Sequence, residues 1–77
     1  NDFIVYPNPV IDVLTISSKN WTHNAKVEVL TSTGTILDSR LHSGYLMPLD
    51  LSKYSGGIYF VKLTTANSIQ VFPIVKR

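Results

Sequence analysis

Apolar and polar residues alternate along this chain in short runs, with a break after nearly every run. In Val13–Ser18, Leu14 and Ile16 share one face, while Val13, Thr15 and Ser17 share the other. In Lys26–Thr31, Val27 and Val29 alternate with Lys26 and Glu28. Gly57–Thr65 is the strongest run, with Tyr59, Val61 and Leu63 on one side and Phe60, Lys62 and Thr64 opposite. A period of two belongs to a strand with one buried and one wet face. Phe3–Tyr6, Thr35–His42, Tyr45–Leu51 and Ser68–Val75 complete the set. Thr35–His42 follows a Thr33-Gly34 turn, which suits a hairpin.

The breaks are Pro7-Asn8-Pro9, Lys19-Asn20, Thr33-Gly34, Ser43-Gly44, Gly56-Gly57 and Ala66-Asn67-Ser68. Such spacing belongs to a sandwich or barrel. No stretch holds a helical period long enough for a helix. The expectation is an all-β domain of about seven strands, folded as two antiparallel sheets face to face. Pro73 cannot donate to a ladder, so the last strand should lie at an edge or carry a bulge. The apolar positions change phase there, from Ile69 and Val71 to Ile74 and Val75, as a bulge would cause.

Composition narrows the class. Seventy-seven residues suffice for one thin-cored domain, 1–77. Without cysteine there is no disulfide and no thiolate metal site. A net charge of +2 with scattered basic residues is no nucleic-acid footprint. No apolar run reaches the roughly 18 residues of a membrane span. The chain starts at Asn1 and its only methionine is Met47, so a fragment or processed product of a larger protein is expected.

Catalytic constellations are not evident. His23 and His42 fall in loops or strand ends, read as solvated surface, and no serine sits in a nucleophile elbow. The acids Asp2, Asp12, Glu28, Asp38 and Asp50 lie on different elements, without EF-hand spacing. Asp12 and Asp50 suit turns and strand ends. Two isolated histidines do not make a zinc site. No enzyme activity, metal or cofactor is expected. Trp21, Tyr45 and Tyr54 lie in or beside loops, where aromatic rings either stack on sugars or cap a thin core. Asn20-Trp21-Thr22 fits the N-glycosylation pattern, which is too short to carry weight.

Three stretches taken together resemble one family. They are Val5-Tyr6-Pro7-Asn8-Pro9 followed by Asp12-Val13-Leu14-Thr15-Ile16, the stretch from Leu49 to Leu63 containing Gly56-Gly57-Ile58-Tyr59, and the basic end Lys76-Arg77. Lys26–Leu30 and then Thr33-Gly34 fit the centre. Their order and spacing resemble the C-terminal sorting domain of proteins exported by the type IX secretion system. The resemblance implies an immunoglobulin-like β-sandwich. It also implies a non-catalytic sorting signal at the end of a cargo protein that has reached the periplasm. An outer-membrane translocon and its shuttle protein would recognise it, and a sortase-like protease would remove it as the cargo reaches the cell surface.

By the same resemblance, Pro7, Asn8 and Pro9 match the family's proline motif, Gly57 and Tyr59 its Gly-x-Tyr motif, and Lys76 and Arg77 its basic terminus. Members often carry a further lysine where the last strand begins. Ser68–Pro73 has none, and its proline is unusual. Structural roles stand beside the recognition roles. The prolines fix φ and end a strand, Gly57 supplies a turn conformation, and the Tyr59 hydroxyl braces a sandwich corner. Lys76 and Arg77 have the best claim to direct recognition, because folding gains little from charges at a free end. The last strand is then expected to offer an open edge to a partner, and its final five or six residues to be dispensable for folding. The alternative class is a carbohydrate-binding or adhesive β-sandwich module of a secreted protein. Oligomeric state is left open.

Overall fold

A computed structural model describes residues 3–19, 24–42 and 44–77. It contains seven strands: β1 (Phe3–Tyr6), β2 (Val13–Ser18), β3 (Ala25–Thr31), β4 (Ile36–His42), β5 (Leu46–Asp50), β6 (Gly57–Thr64) and β7 (Ile69–Lys76). They form two antiparallel sheets, β1-β2-β5 and β4-β3-β6-β7, consistent with an immunoglobulin-like sandwich. Asn20-Trp21-Thr22, His23 and Asp2 lie outside the described residues.

Alternation along each strand supplies the core. Leu14 and Ile16 of β2 and Met47 and Leu49 of β5 face Val27, Val29, Val61, Leu63 and Ile74 of the larger sheet. All are at most 2% exposed. Loop residues Val10 and Leu51 close the core. Leu51 is fixed by its amide, which donates to the Asp12 carbonyl at 2.8 Å.

β4 departs from this pattern. Its inward positions Asp38, Arg40 and His42 are polar, opposite Val29, Val27 and Ala25. Arg40 donates to the Asp38 carboxylate at 2.6 Å, and a His42 ring nitrogen lies 3.0 Å from the Leu46 carbonyl oxygen. His42 is half-buried, less open than its expected surface position. Glu28 differs too. It lies on the outer face of β3 yet is buried, with the Lys26 ammonium 3.8 Å away and Lys62 opposite on β6.

The last strand is an edge strand, as Pro73 requires. It carries no bulge: β6 and β7 pair in unbroken register from Gly57↔Lys76 to Thr64↔Ile69. The irregularity lies between β3 and β4, at Val29/Leu30. Nor does the phase change along β7. Gln70, Phe72, Ile74 and Lys76 share one face, and Ile69, Val71, Pro73 and Val75 the other. The apparent switch came from Ile69 and Val71, apolar residues on the exposed outer face, with the polar Gln70 between them on the inward face.

Candidate functional site

The residues singled out by sequence meet at one place, the C-terminal half of β7. After β1 the chain passes through Pro7-Asn8-Pro9, with both X-Pro bonds cis, and crosses to the other sheet. There Val10 forms a parallel bridge with Lys76. The Val10 amide donates to the Val75 carbonyl at 2.8 Å, and the Arg77 amide donates to the Val10 carbonyl at 2.9 Å.

Asn8 extends this ladder with its side chain. Its Nδ2 donates to the Pro73 carbonyl at 3.0 Å, and its Oδ1 accepts from the Val75 amide at 2.9 Å. A residue of a parallel strand would make the same pair of bonds, so the carboxamide stands in for a peptide group. It also explains why Pro73 is tolerated. Pro73 O and Val75 N face the open side of β7, so the missing Pro73 N–H costs no bond to β6.

The basic terminus is part of the same clasp. Lys76 is 8% exposed and its ammonium donates to a main-chain oxygen of Arg77 at 2.7 Å. Its aliphatic stem lies in the end of the sandwich. Arg77 is exposed but held through its amide. The end is therefore built into the sheet, unlike the loose tail expected of it. Burial argues against the expected dispensability of the last residues for folding, because they include Ile74, which is core, 1% exposed.

Gly57 and Tyr59 complete the clasp from β6, opposite Lys76 and Ile74. Gly57 has φ +157°, a value side-chain-bearing residues rarely adopt, while a Cβ there would meet nothing within 4 Å. The backbone conformation there is one that glycine adopts freely. Tyr59 is buried and its hydroxyl donates to the Ser55 carbonyl at 2.6 Å, bracing the corner before β6. Its ring stacks on Tyr54 with centroids 5.5 Å apart. Burial raises the Tyr54 phenol pKa, with the Asp38 charge adding to it.

Sequence reasoning missed Val10 and Gly56. Val10 follows a proline turn and looks like a loop residue, and its sheet partner is 66 positions away. A Cβ on Gly56 would lie 3.4 Å from the Lys76 carbonyl oxygen, so the chain passes close to the terminus here. The Gly56-Gly57 pair was the available signal.

The other candidates do not converge on chemistry. Asp12, Arg40, Asp50 and Ser52 line an open groove of about 510 Å³ without an aromatic wall. Asp50 caps a turn: its Oδ1 accepts from the Ser52 amide at 2.9 Å. Hydrogen bonds from the Ser52 side chain and backbone lower its pKa. Tyr45 is 66% exposed. Among the described residues no three His, Asp or Glu side chains gather as a metal site, and no helix is long and apolar enough to cross a membrane.

The fold is thus a two-layer β-sandwich whose motif residues secure its own final strand. Residues 4–77 match the family described as the secretion system C-terminal sorting domain. The chain belongs to that family, whose members are type IX secretion sorting signals acting through the secretion machinery to reach the cell surface or the extracellular space. A sorting-signal family implies a non-catalytic role. No curated protein matches the chain.

Proposed function

We propose that residues 1–77 are the routing label of a larger exported protein, read as a folded surface. In the periplasm the outer-membrane translocon and its shuttle protein recognise the domain. A sortase-like protease then removes it as the cargo is fixed to the cell surface. The observation that supports this reading is the meeting of Pro7, Asn8, Pro9, Gly57, Tyr59, Lys76 and Arg77 around one end of β7. Gly57, Tyr59 and Lys76 hold that end in the sheet. Pro7, Asn8, Pro9 and Arg77 are exposed beside it and present it to the partner.

A transfer experiment tests this. Residues 1–77 are fused behind a fluorescent protein carrying a periplasmic export signal. The fusion is expressed in a bacterium with a working type IX system and in a strain lacking the translocon. Translocon-dependent release of the reporter is expected. Periplasmic retention of an intact, folded fusion in both strains would refute autonomous sorting.

A further inference from the structure

We propose that the first residues of β7, Ile69–Val71, are the docking edge for an extended segment of the export machinery, a strand with apolar side chains and a carboxylate that adds to the four-stranded sheet. The inference rests on the sorting reading above.

Outward main-chain groups alternate along β7. Pro73 O, Val75 N, Val75 O and Arg77 N all face away from β6 and are taken by Asn8 and Val10. By the same alternation, the N–H and C=O groups of Ile69 and Val71 face that side as well. Among the described residues no strand lies beyond β7. The clasp thus closes the C-terminal half of the edge and leaves a template of fixed length. Pro73, with no N–H to offer, marks its end.

The side chains around this template define the partner. Ile69 is 62% and Val71 53% exposed. Val71 also walls a shallow cleft of about 370 Å³ on the outer face, with Leu30, Phe60, Lys62 and the Thr31–Gly34 turn. A side chain set beside Val71 by an added strand lies at the rim of that cleft. Across the sheet, Ser39, Glu28, Lys62 and Val71 form one row of cross-strand neighbours. Glu28, the only described acid on this face, is buried next to Lys26. The next position in the row, on the incoming strand, suits a carboxylate that reaches Lys62. The apolar face meets the apolar side chains, and the cation meets the acid.

Val71→Pro removes one outward N–H and leaves the β6 ladder intact, as Pro73 already does. In the reporter fusion it should cut translocon-dependent release at least tenfold while the unfolding midpoint stays near that of the parent. A folded Val71→Pro fusion released like the parent overturns the proposal. Failure of the unmodified fusion to be released refutes the sorting reading itself, and this inference with it. If Val71→Pro does not fold, hydrogen exchange of the unmodified domain bound to the purified shuttle protein decides. Slowed exchange at the Ile69 and Val71 amides, with Leu37, Ser39 and Leu41 unchanged, is expected. Slowing at β4 instead, or at neither edge of a complex seen to form, overturns it. Lys62→Gln should weaken that complex severalfold and reduce its salt dependence, and an unchanged affinity overturns the carboxylate assignment.

Discussion

β7 and β4 are the two edges of the same sheet, and they are guarded differently. β4 relies on devices close at hand: a register irregularity against β3, and the inward charges Asp38 and Arg40, two residues apart and paired. β7 relies on groups more than 60 positions away, the Asn8 carboxamide and the Val10 backbone. Local guards discourage pairing by strangers but hold nothing together. Long-range guards also fasten β1, the proline turn and the last strand to one another. Perturbing β7 should therefore spread through the domain, whereas perturbing β4 should stay local.

The sharpest test is one apolar truncation on each edge. Ile74→Ala opens a cavity in the core beneath the clasp and should cost about 2–5 kcal/mol. That is a large fraction of the stability of so small a domain. Leu41→Ala, 69% exposed on β4, should change stability by no more than about 0.5 kcal/mol. Chemical denaturation followed by circular dichroism reads both. Similar costs at the two positions would erase the distinction.

Asn8→Ala comes next. It removes both carboxamide bonds to β7 and leaves the Val10 bridge in place. Two exposed hydrogen bonds at the usual net value give a loss of about 1–2 kcal/mol. The Val75 amide should lose protection from exchange, while amides of β4 keep theirs. Unaltered protection at Val75 would mean that the carboxamide is not what closes this half of the edge.

This asymmetry also explains what was legible in the sequence. Strand positions and faces came through because burial follows a period of two. Leu14 and Ile16, and Tyr59, Val61 and Leu63, point inward as the pattern says. Even the edge position of β7 could be read, since a missing N–H is a property of Pro73 alone. The clasp could not be read. Nothing local to Asn8 says that its carboxamide will replace a peptide group beside Val75, and nothing in Lys76-Arg77 says that the lysine will be buried. Glu28 misled for a related reason, because its burial comes from neighbours on β4 and β6. Period reports the face of a strand, whereas those contacts depend on which strands become neighbours.

Replacing both Asp38 and Arg40 with valine tests the β4 guard. The pair is partly exposed, so its loss should cost little stability, within about 1 kcal/mol. Association is where the effect should show. An edge stripped of its inward charges becomes a flat apolar template, and sedimentation should reveal concentration-dependent oligomers. A strictly monomeric double variant would assign the guarding of β4 to the register irregularity alone.

The smallest effect belongs to Asp50, which like the β4 guards acts over a short stretch of chain. Its carboxyl is held below the ordinary aspartate range by the Ser52 side-chain and backbone hydrogen bonds. A group with a depressed folded-state pKa favours the native state above its unfolded value, near pH 4, and that contribution is lost as pH falls through the folded value. The thermal midpoint of the parent should therefore sit slightly above that of Asp50→Asn at neutral pH. The two should converge once the carboxyl is protonated, while the deficit of Asn8→Ala, which involves no titrating group, should persist. A gap between the parent and Asp50→Asn that stays constant into acid would show that the turn depends on the shape of the side chain and not on its charge.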